Sequence, residues 1–382
     1  MDLEQMTQTR AAGGASPMDR EPVGSELRPS APRLRGRAIH DAHLGLLAAR
    51  GPGLRPRDAA EALGVSEAEL VASRCGERVV RLVDDPRALI AALPELGPVK
   101  AITRNDHCVH EKVGRYDHIS FTGAMGLVVN HDIDLRLFLG HWRSAFLVPS
   151  VGPDGRTRHS IQFFDQDGTA VHKVFGAPDA GASAFEAIAT RFAHACQAPD
   201  HSVSPLPPAA PDRPDAAVEV GELEAGWRAL EDTHDFFGLL RSHAVGRLQA
   251  FRLVGDDLAM RAPRTAVDRV LAQAAVQAVP VMVFVGNPGC IQIHTGVVER
   301  VETRGPWLNV LDPAFDLHLR RDRIASAWLV RKPTVDGIVT SLELFAADGS
   351  CFCQLFGARK PGRAEDPAWR TLVEAACVEG VA

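Results

Sequence analysis

The chain has 382 residues, of which 46% are hydrophobic and 24% are charged, and its formal net charge at pH 7 is −6. These values predict a globular protein of two or three domains with a large core, and they argue against a nucleic-acid binder that relies on a general positive field. No apolar run approaches the roughly 18 residues that a membrane span needs, so membrane insertion is not expected.

Residues 1–38 are rich in Gly, Pro, Ser and Arg and have no apolar periodicity, which predicts a disordered tail. The tail lacks the apolar core of a secretory signal. The seven cysteines are scattered, odd in number and without a CxxC pair, which argues against a disulfide framework or a zinc site. Reduced thiols fit the cytoplasm, which is the predicted location.

Two parts of the chain resemble each other at a constant spacing. "RNDHCVHEKVG" at 104–114 aligns with "GNPGCIQIHTG" at 286–296, an offset of 182 (286 − 104). The same offset carries "DLRL" at 134–137 onto "DLHL" at 316–319, and a shift of one residue places "SIQFFDQDG" on "SLELFAADG". A constant offset over some 70 residues predicts an internal duplication.

The predicted organisation is a first repeat at 39–196, a proline-rich linker at 197–220 and a second repeat at 221–382. Each copy starts with helical segments: "RDAAEALGVSEAELVASR" in the first, "FFGLLRSH" and "RLQAFRLVGDDLAMRA" in the second. Alternating or β-branched strands follow, with hairpin turns at "DQDG" and "AADG". Each copy closes with a helix, "ASAFEAIATRFAHAC" or "DPAWRTLVEAAC". The predicted class is α+β, with two halves that each hold a large antiparallel sheet flanked by helices.

Standard catalytic motifs are absent from the sequence. "HCVHE" at 107–111 has two histidines, but residues three apart on a strand face opposite sides, which argues against a shared metal. "RPRDAAEALGVSEAELVAS" at 55–73 resembles a helix-turn-helix, with Ser66 and Glu69 as a capping box. Its second helix offers acids where contact with phosphate needs Lys or Arg, so helix packing is preferred to DNA binding.

The segment "EDTHDFFGLLRSH" at 231–243 places His234 among acids and next to two phenylalanines. A helix histidine near aromatic rings is more often a packed residue than a ligand. Its position just past the linker favours a ligand, because a cleft between the copies would open there. The first-copy counterpart near His43 lacks the two phenylalanines. Both interpretations stay open on these residues alone.

Several long strings resemble one family. "HDIDLRLFLGHW", "HSIQFFDQDG", "EDTHDFFGLL", "FVGNPGCIQIHTG", "RKPTVDGIVTSLELFAADG" and "QLFGARK" are similar to the cytoplasmic hemin-degrading or heme-trafficking proteins of bacterial heme uptake, the HemS/ChuS type. The resemblance runs from about residue 40 to the C-terminus, through both copies. It implies that heme is bound between the halves and serves as the cofactor or cargo.

The resemblance also implies roles for individual residues. His234 matches the histidine that holds the iron, and Arg136 matches an arginine on the opposite face of the heme and is the candidate catalytic residue. The positions around the ring and its propionates match Arg247, Phe284, Lys332, Phe356 and Arg359. Two positions depart from the family pattern, because Phe356 replaces a tyrosine and Leu248 replaces a glutamine. Both changes make the expected pocket less polar.

The residue chemistry agrees with these roles. A neutral imidazole is a common heme ligand whose second nitrogen needs a partner, for which Glu231 or a backbone carbonyl is the candidate. Phe236 and Phe237 suit the porphyrin face and edge, and arginines suit bidentate binding of carboxylates. Arg136 is a poor iron ligand but suits holding water, hydroxide or oxygen on the open face. Its alternative is an inward strand arginine paired with an acid.

Two functional classes remain open. One is an enzyme that opens the heme ring with oxygen and an external electron donor and releases iron. The other is a pure carrier that takes heme from an inner-membrane importer and hands it to a separate heme oxygenase. A heme-responsive DNA-binding regulator, through residues 55–73, ranks last. We expect heme utilisation and iron acquisition in either of the first two classes, with nucleic acid not expected as a partner. The charge is compatible with a monomer, and the first copy leaves room for a second heme site.

Overall fold

The computed structural model describes residues 34–152, 154–177, 181–208, 210–360 and 362–378. Within these ranges the chain divides into two compact units. The larger unit comprises residues 98–139 and 208–378, and the smaller unit comprises residues 34–97 and 140–207. Most of the predicted tail, residues 1–33, lies outside the described residues.

Helices and strands follow one another along both predicted copies. The helices are α1 (Arg37–Arg50), α2 (Pro56–Leu63), α3 (Glu67–Ala72), α4 (Pro86–Ala92), α5 (Ala182–Arg191), α6 (Val220–Arg228), α7 (Asp235–Ser242), α8 (Arg247–Leu253), α9 (Ala266–Gln277) and α10 (Pro367–Val378). The strands are β1 (Val80–Leu82), β2 (Val99–Arg104), β3 (Cys108–Gly114), β4 (Ile119–Thr122), β5 (Met125–Val129), β6 (Asp134–Phe138), β7 (Ser144–Val151), β8 (Thr157–Phe164), β9 (Ala170–Gly176), β10 (Ala259–Ala262), β11 (Val281–Asn287), β12 (Cys290–Gly296), β13 (Val301–Arg304), β14 (Trp307–Asp312), β15 (Phe315–Arg320), β16 (Ser326–Thr334), β17 (Gly337–Phe345) and β18 (Cys351–Gly357).

The smaller unit packs helices on an antiparallel run of strands in the order β1-β7-β8-β9. Helix α3 begins with the predicted capping box. The Ser66 hydroxyl accepts from the Glu69 amide at 3.2 Å, and the Glu69 carboxylate accepts from the Ser66 amide at 2.9 Å. All six residues of α3 are buried. This burial supports the preference for helix packing, because a recognition helix needs an exposed face to enter a DNA groove.

The larger unit contains a nine-stranded antiparallel sheet in the order β10-β16-β17-β18-β11-β12-β6-β5-β4 and a second antiparallel run, β2-β3-β15-β14-β13. The two predicted copies exchange three-stranded segments here. Strand β6 of copy one pairs with β12 of copy two, which sets Arg136 opposite Ile291. Strand β15 of copy two pairs with β3 of copy one, which sets His318 opposite Val109. The exchange brings copy-one side chains into a sheet built mainly from copy two.

The β2–β3 and β11–β12 hairpins bind each other through matching asparagines. Asn105 Nδ2 donates to the carbonyl of Gly286 at 3.0 Å, and Asn287 Nδ2 donates to the carbonyl of Arg104 at 2.9 Å. The two asparagines are separated by the offset of 182 that relates the copies (287 − 105), and so are the two acceptor residues (286 − 104). A buried carbonyl or amide needs such a partner, so the two side chains tie the hairpins together reciprocally.

The α+β class with large antiparallel sheets and flanking helices is confirmed. The helix expected over 247–262 is wrong in its second half, because α8 ends at Leu253 and β10 pairs with β16 as the edge strand of the nine-stranded sheet. Gly255 and two following aspartates break the helix, and the Gly255 carbonyl accepts from Leu258 and Ala259. The described part of the predicted linker, 197–220, contains one 3-10 turn at Asp215–Ala217. Within the described ranges, no helix is both long and apolar enough to cross a membrane.

Candidate ligand-binding site

A cavity of about 320 Å³ lies within the larger unit. Of the described residues around it, four are cationic and none is a carboxylate, and the rest of its wall is mostly apolar with a few neutral polar side chains. A mostly apolar wall with a few fixed charges is typical of a site for an organic ligand. The structure brings all seven site residues expected from the sequence to this one cavity: Arg136, His234, Arg247, Phe284, Lys332, Phe356 and Arg359.

The fold gathers these residues from distant parts of the chain. Arg136 lies on β6, which reaches the cavity only because the copies exchange strands. Phe284 and Phe356 lie on β11 and β18, which are neighbours in the nine-stranded sheet. Their rings meet edge to face with centroids 5.1 Å apart, and they form an apolar floor.

His234 immediately precedes α7 as its N-cap residue, rather than lying inside the helix. Its side chain is 57% exposed, and Nδ1 lies 2.6 Å from Asp232 Oδ1. Asp232 Oδ1 also accepts from the His234 amide at 2.9 Å, so this carboxylate fixes both the backbone and the ring. The expected partner, Glu231, is not the one observed; Asp232 takes that place. The bond to Nδ1 leaves Nε2 as the nitrogen for a ligand.

Phe236 begins the apolar wall behind His234. Its ring is buried and packs against Trp227 at 4.4 Å between centroids. The Lys332 ammonium lies 4.8 Å from the Phe236 centroid, and the Arg247 guanidinium lies 5.2 Å from it. The ring therefore holds both cations by cation–π contact while it lines the cavity.

A fully buried carboxylate, Glu343, organises the two cations. Arg247 donates to it from Nε at 2.6 Å and from Nη2 at 2.8 Å, and Lys332 Nζ donates at 3.0 Å. Burial opposes the charge of Glu343, but Arg247 and Lys332 outweigh burial and lower its pKa to about 2. Burial lowers the pKa of Lys332 to about 8, although Glu343 acts in the opposite direction.

The remaining two cations are also paired. Arg136 forms an ion pair with Asp134 two residues earlier on β6. Burial raises the pKa of Asp134, and Arg136 limits that increase. Arg359 Nη1 lies 3.7 Å from Asp336 Oδ2. Arg136 is therefore paired with an acid, as the alternative interpretation expected. It also lines the cavity.

Comparisons with known proteins identify the family. The model of the haemin-degrading HemS.ChuX domain matches residues 64–192 and again residues 244–376. This chain belongs to that family. The two matched segments confirm the internal duplication.

Individual relatives agree over most of the chain. The chain is 45% identical over 327 residues to the hemin transport protein HmuS of Yersinia pestis, covering 85% of this chain and 93% of the relative. It resembles the holo form of PhuS, a heme-binding protein from Pseudomonas aeruginosa, with a TM-score of 0.86, 48% identity and coverage of 88% and 97%. It also resembles the heme-degrading enzyme ChuS of Escherichia coli O157:H7, with a TM-score of 0.81, 39% identity and coverage of 89% and 98%.

Three features of this HemS-type pocket were missed by sequence reasoning: Glu343, Gln354 and Cys351. Gln354 lines the cavity and donates to Glu343 at 3.1 Å. Burial raises the pKa of the lining thiol of Cys351 to about 12, which keeps it protonated. A signal for Glu343 was present in the aligned repeats, where "SIQFF" has a glutamine and "SLELF" has a glutamate at the same position. This difference marks a charged side chain that copy two has and copy one lacks at that strand position.

No cluster of three or more His, Cys, Asp or Glu side chains suited to a metal ion occurs in the described part of the chain. The two histidines of "HCVHE" lie in different surroundings. His110 is fully buried on β3, and burial lowers its pKa well below the usual value. His107 precedes the strand and packs against the ring of Phe352 at 5.4 Å.

Proposed function

We propose that this chain binds one heme in the cavity and serves bacterial heme utilisation and iron acquisition in the cytoplasm. The observation that carries the proposal is the gathering of one exposed imidazole, five phenylalanine rings and four cations in a single cavity whose wall has no carboxylate among the described residues. A heme offers the complementary groups: an iron for the imidazole, a flat apolar ring for the phenylalanines, and two carboxylates for the cations.

His234 is the proposed iron ligand. Asp232 accepts from Nδ1 and so selects the tautomer in which Nε2 has a free lone pair. A carboxylate on the second ring nitrogen also raises the basicity of a ligating imidazole and fixes the orientation of the ring. The exposure of His234 leaves room for a ligand to approach without rearrangement of the core.

The cations divide the proposed carboxylate sites into two kinds. Arg247 and Lys332 are held by a buried glutamate, and they offer one carboxylate a rigid, partly dehydrated site. Arg359 pairs with Asp336 at the longer distance of 3.7 Å and offers the other carboxylate a looser site. Phe356, whose ring lies 5.7 Å from Lys332 Nζ, adds an apolar side chain to the cavity where the family pattern has a tyrosine.

Arg136 is the proposed residue on the opposite side of the heme. A guanidinium offers donors and no lone pair for a metal, so Arg136 would leave the iron of a bound heme accessible to a small molecule. When bound, heme supplies iron that can activate oxygen, provided that an external reductant gives electrons. Asp134 holds Arg136 in place, and Arg136 can donate to a small molecule there. This arrangement supports degradation of the ring; storage of the same heme for delivery to a separate heme oxygenase is the second candidate.

The binding proposal is tested by absorption titration of the protein with hemin. We expect one equivalent of hemin to bind and His234→Ala to weaken binding by at least about tenfold, or about 1.4 kcal/mol, with a changed spectrum. His243→Ala, at the other end of the same helix, is the control and should bind like the wild type. An unchanged spectrum and affinity in His234→Ala would remove the axial assignment. A second equivalent that binds to the His234→Ala variant and is lost on His43→Ala would reveal a site in copy one.

Degradation and delivery are separated by a time course of the hemin complex in air, with an external electron donor and with catalase to remove free peroxide. Decay of the heme band together with chelatable iron identifies an enzyme. Persistence of the band, followed by transfer of the heme to an added apo heme oxygenase, identifies a carrier. Arg136→Met should slow the decay in the first case and leave transfer unaffected in the second.

A further inference from the structure

We infer that Glu343 is a positioning residue: from behind the cavity wall it fixes Arg247 and Lys332 as a preformed receptor for one carboxylate of the ligand. The inference rests on the heme binding proposed above and deepens it. Glu343 is fully buried on β17, whereas its partners Arg247, Lys332 and Gln354 all line the cavity. The glutamate therefore reaches the ligand only through them.

Both oxygens of Glu343 are fully used. Oε2 accepts from Arg247 Nε at 2.6 Å and from Gln354 at 3.1 Å. Oε1 accepts from Arg247 Nη2 at 2.8 Å, from Lys332 at 3.0 Å and from Ser341 at 3.0 Å. Five donors on one buried carboxylate fix its orientation, and the bidentate contact also fixes the plane of the guanidinium.

The cations keep donors for a ligand. A guanidinium has five N–H groups and an ammonium has three, and Glu343 takes two from Arg247 and one from Lys332. The rings of Phe236 and Phe356 lie 4.8 and 5.7 Å from Lys332 Nζ and confine it further. A ligand carboxylate therefore meets donors that are already ordered, which reduces the entropic cost of binding.

The charges of the cluster also select for one anion. Two cations and one carboxylate leave a net charge of +1, which a single ligand carboxylate neutralises. The groups that face Lys332 are Glu343 from β17, Arg247 from α8 and the thiol of Cys351 from β18. Without Glu343, Lys332 would lie beside Arg247 in a buried place with no counter-charge, and its proton would be lost at lower pH.

Copy one shows that a glutamine fits this position in the strand. Gln162 occupies the matching place on β8 and donates to Ser160 at 2.9 Å, as Glu343 accepts from Ser341. Glu343→Gln is therefore a conservative test that keeps the size of the side chain and one acceptor oxygen while it removes the charge. Its folding is checked by thermal unfolding, and Ser341→Ala, which removes one donor and no charge, serves as a second and milder variant.

The test measures hemin affinity from pH 6 to 9 for the wild type, Glu343→Gln and Lys332→Met, each also with the dimethyl ester of hemin. We expect wild-type affinity for hemin to fall above about pH 8, where Lys332 loses its proton. In Glu343→Gln the fall should move to lower pH, with about tenfold weaker binding at pH 7, or about 1.4 kcal/mol. Lys332→Met should show no such step, and Glu343→Gln should bind the ester like the wild type.

The outcomes separate the two proposals. If the wild type does not bind hemin, the heme-binding function fails. If hemin binds through His234 but Glu343→Gln matches the wild type in affinity and pH profile, the inference about Glu343 fails alone. Equal losses for hemin and its ester in Glu343→Gln would also overturn the inference, because a purely structural role does not distinguish a carboxylate from an ester. In Ser341→Ala a smaller shift in the same direction supports the inference, and no shift counts against it.

Discussion

The two copies are alike where their hairpins cross and differ where the cavity forms. At the crossing, Asn105 and Asn287 make the same bond in both directions. At the matching strand positions, copy one has the neutral Gln162, and copy two has Glu343 between two cations. Copy one has, next to this position, a simple ion pair between Glu67 on α3 and Lys173 on β9, the strand that pairs with β8.

This difference explains why a duplicated chain forms one asymmetric site. The crossing must be symmetric because each hairpin supplies the polar partner that the other needs. A neutral ion pair such as Glu67–Lys173 has no excess charge to attract an anion. The copy-two cluster carries one extra positive charge and directs its spare donors into a cavity. The two copies therefore share a scaffold, and the proposed anion site depends on a few residues that differ between them.

The largest effect is expected when the copy-two cluster is broken. Arg247→Met leaves Glu343 buried with Lys332 as its only cationic partner, so the free energy of unfolding should fall by about 3 kcal/mol, as for other broken buried ion pairs. The matched change in copy one, Lys173→Met, should cost about 1 kcal/mol, because Glu67 lies in the first turn of α3, where the helix dipole favours a carboxylate. Urea unfolding measures both values. Equal losses of unfolding free energy would mean that the two ion-pair clusters contribute equally to stability, contrary to the difference expected between the copies.

The sequence predicted the fold class and the duplication, because those depend on periodicity and spacing, whereas the resemblance to the HemS/ChuS family implied the seven side chains that line one cavity. It did not predict that the copies exchange strands, since pairing between β6 and β12 is a long-range choice that local pattern does not encode. It also missed Asp232 and Glu343 as partners of the site residues. A carboxylate behind a wall has no motif of its own, and only packing shows which cation it faces.

An intermediate effect is expected at the symmetric crossing. Asn105→Ala and Asn287→Ala each leave a buried carbonyl of the opposite hairpin without its side-chain donor, which should lower the free energy of unfolding by about 2 kcal/mol in each case. Asn105→Ala should cost somewhat more than Asn287→Ala, because Asn105 Nδ2 also donates to the carbonyl of Phe352 at 2.8 Å. If either variant left the free energy of unfolding measured in urea unchanged, that asparagine would not stabilise the crossing, although its hydrogen bond is present in the structure.

The smallest effect is expected in the paired hairpin turns, where copy one has Asp165 and copy two has Ala346. Burial, together with the neighbouring Asp167, raises the pKa of Asp165 to about 8. The folded state therefore keeps a proton that the unfolded chain, with its ordinary pKa of 3.8, releases. The stability that this proton represents is present in full below about pH 4 and is lost as the pH rises towards 8.

Asp165→Asn should remove this loss while it keeps a side-chain oxygen for the backbone amides of Asp167 and Thr169. Between pH 5 and pH 7.5 the variant should gain at least about 1 kcal/mol over the wild type in free energy of unfolding, because a shift of one pKa unit corresponds to about 1.4 kcal/mol. Asp348→Asn in the exposed turn of copy two is the control and should leave the pH profile unchanged. Parallel pH curves for Asp165→Asn and the wild type would mean that Asp165 is ionised in the folded protein. The two turns would then differ in sequence, but copy one would hold no extra proton at Asp165.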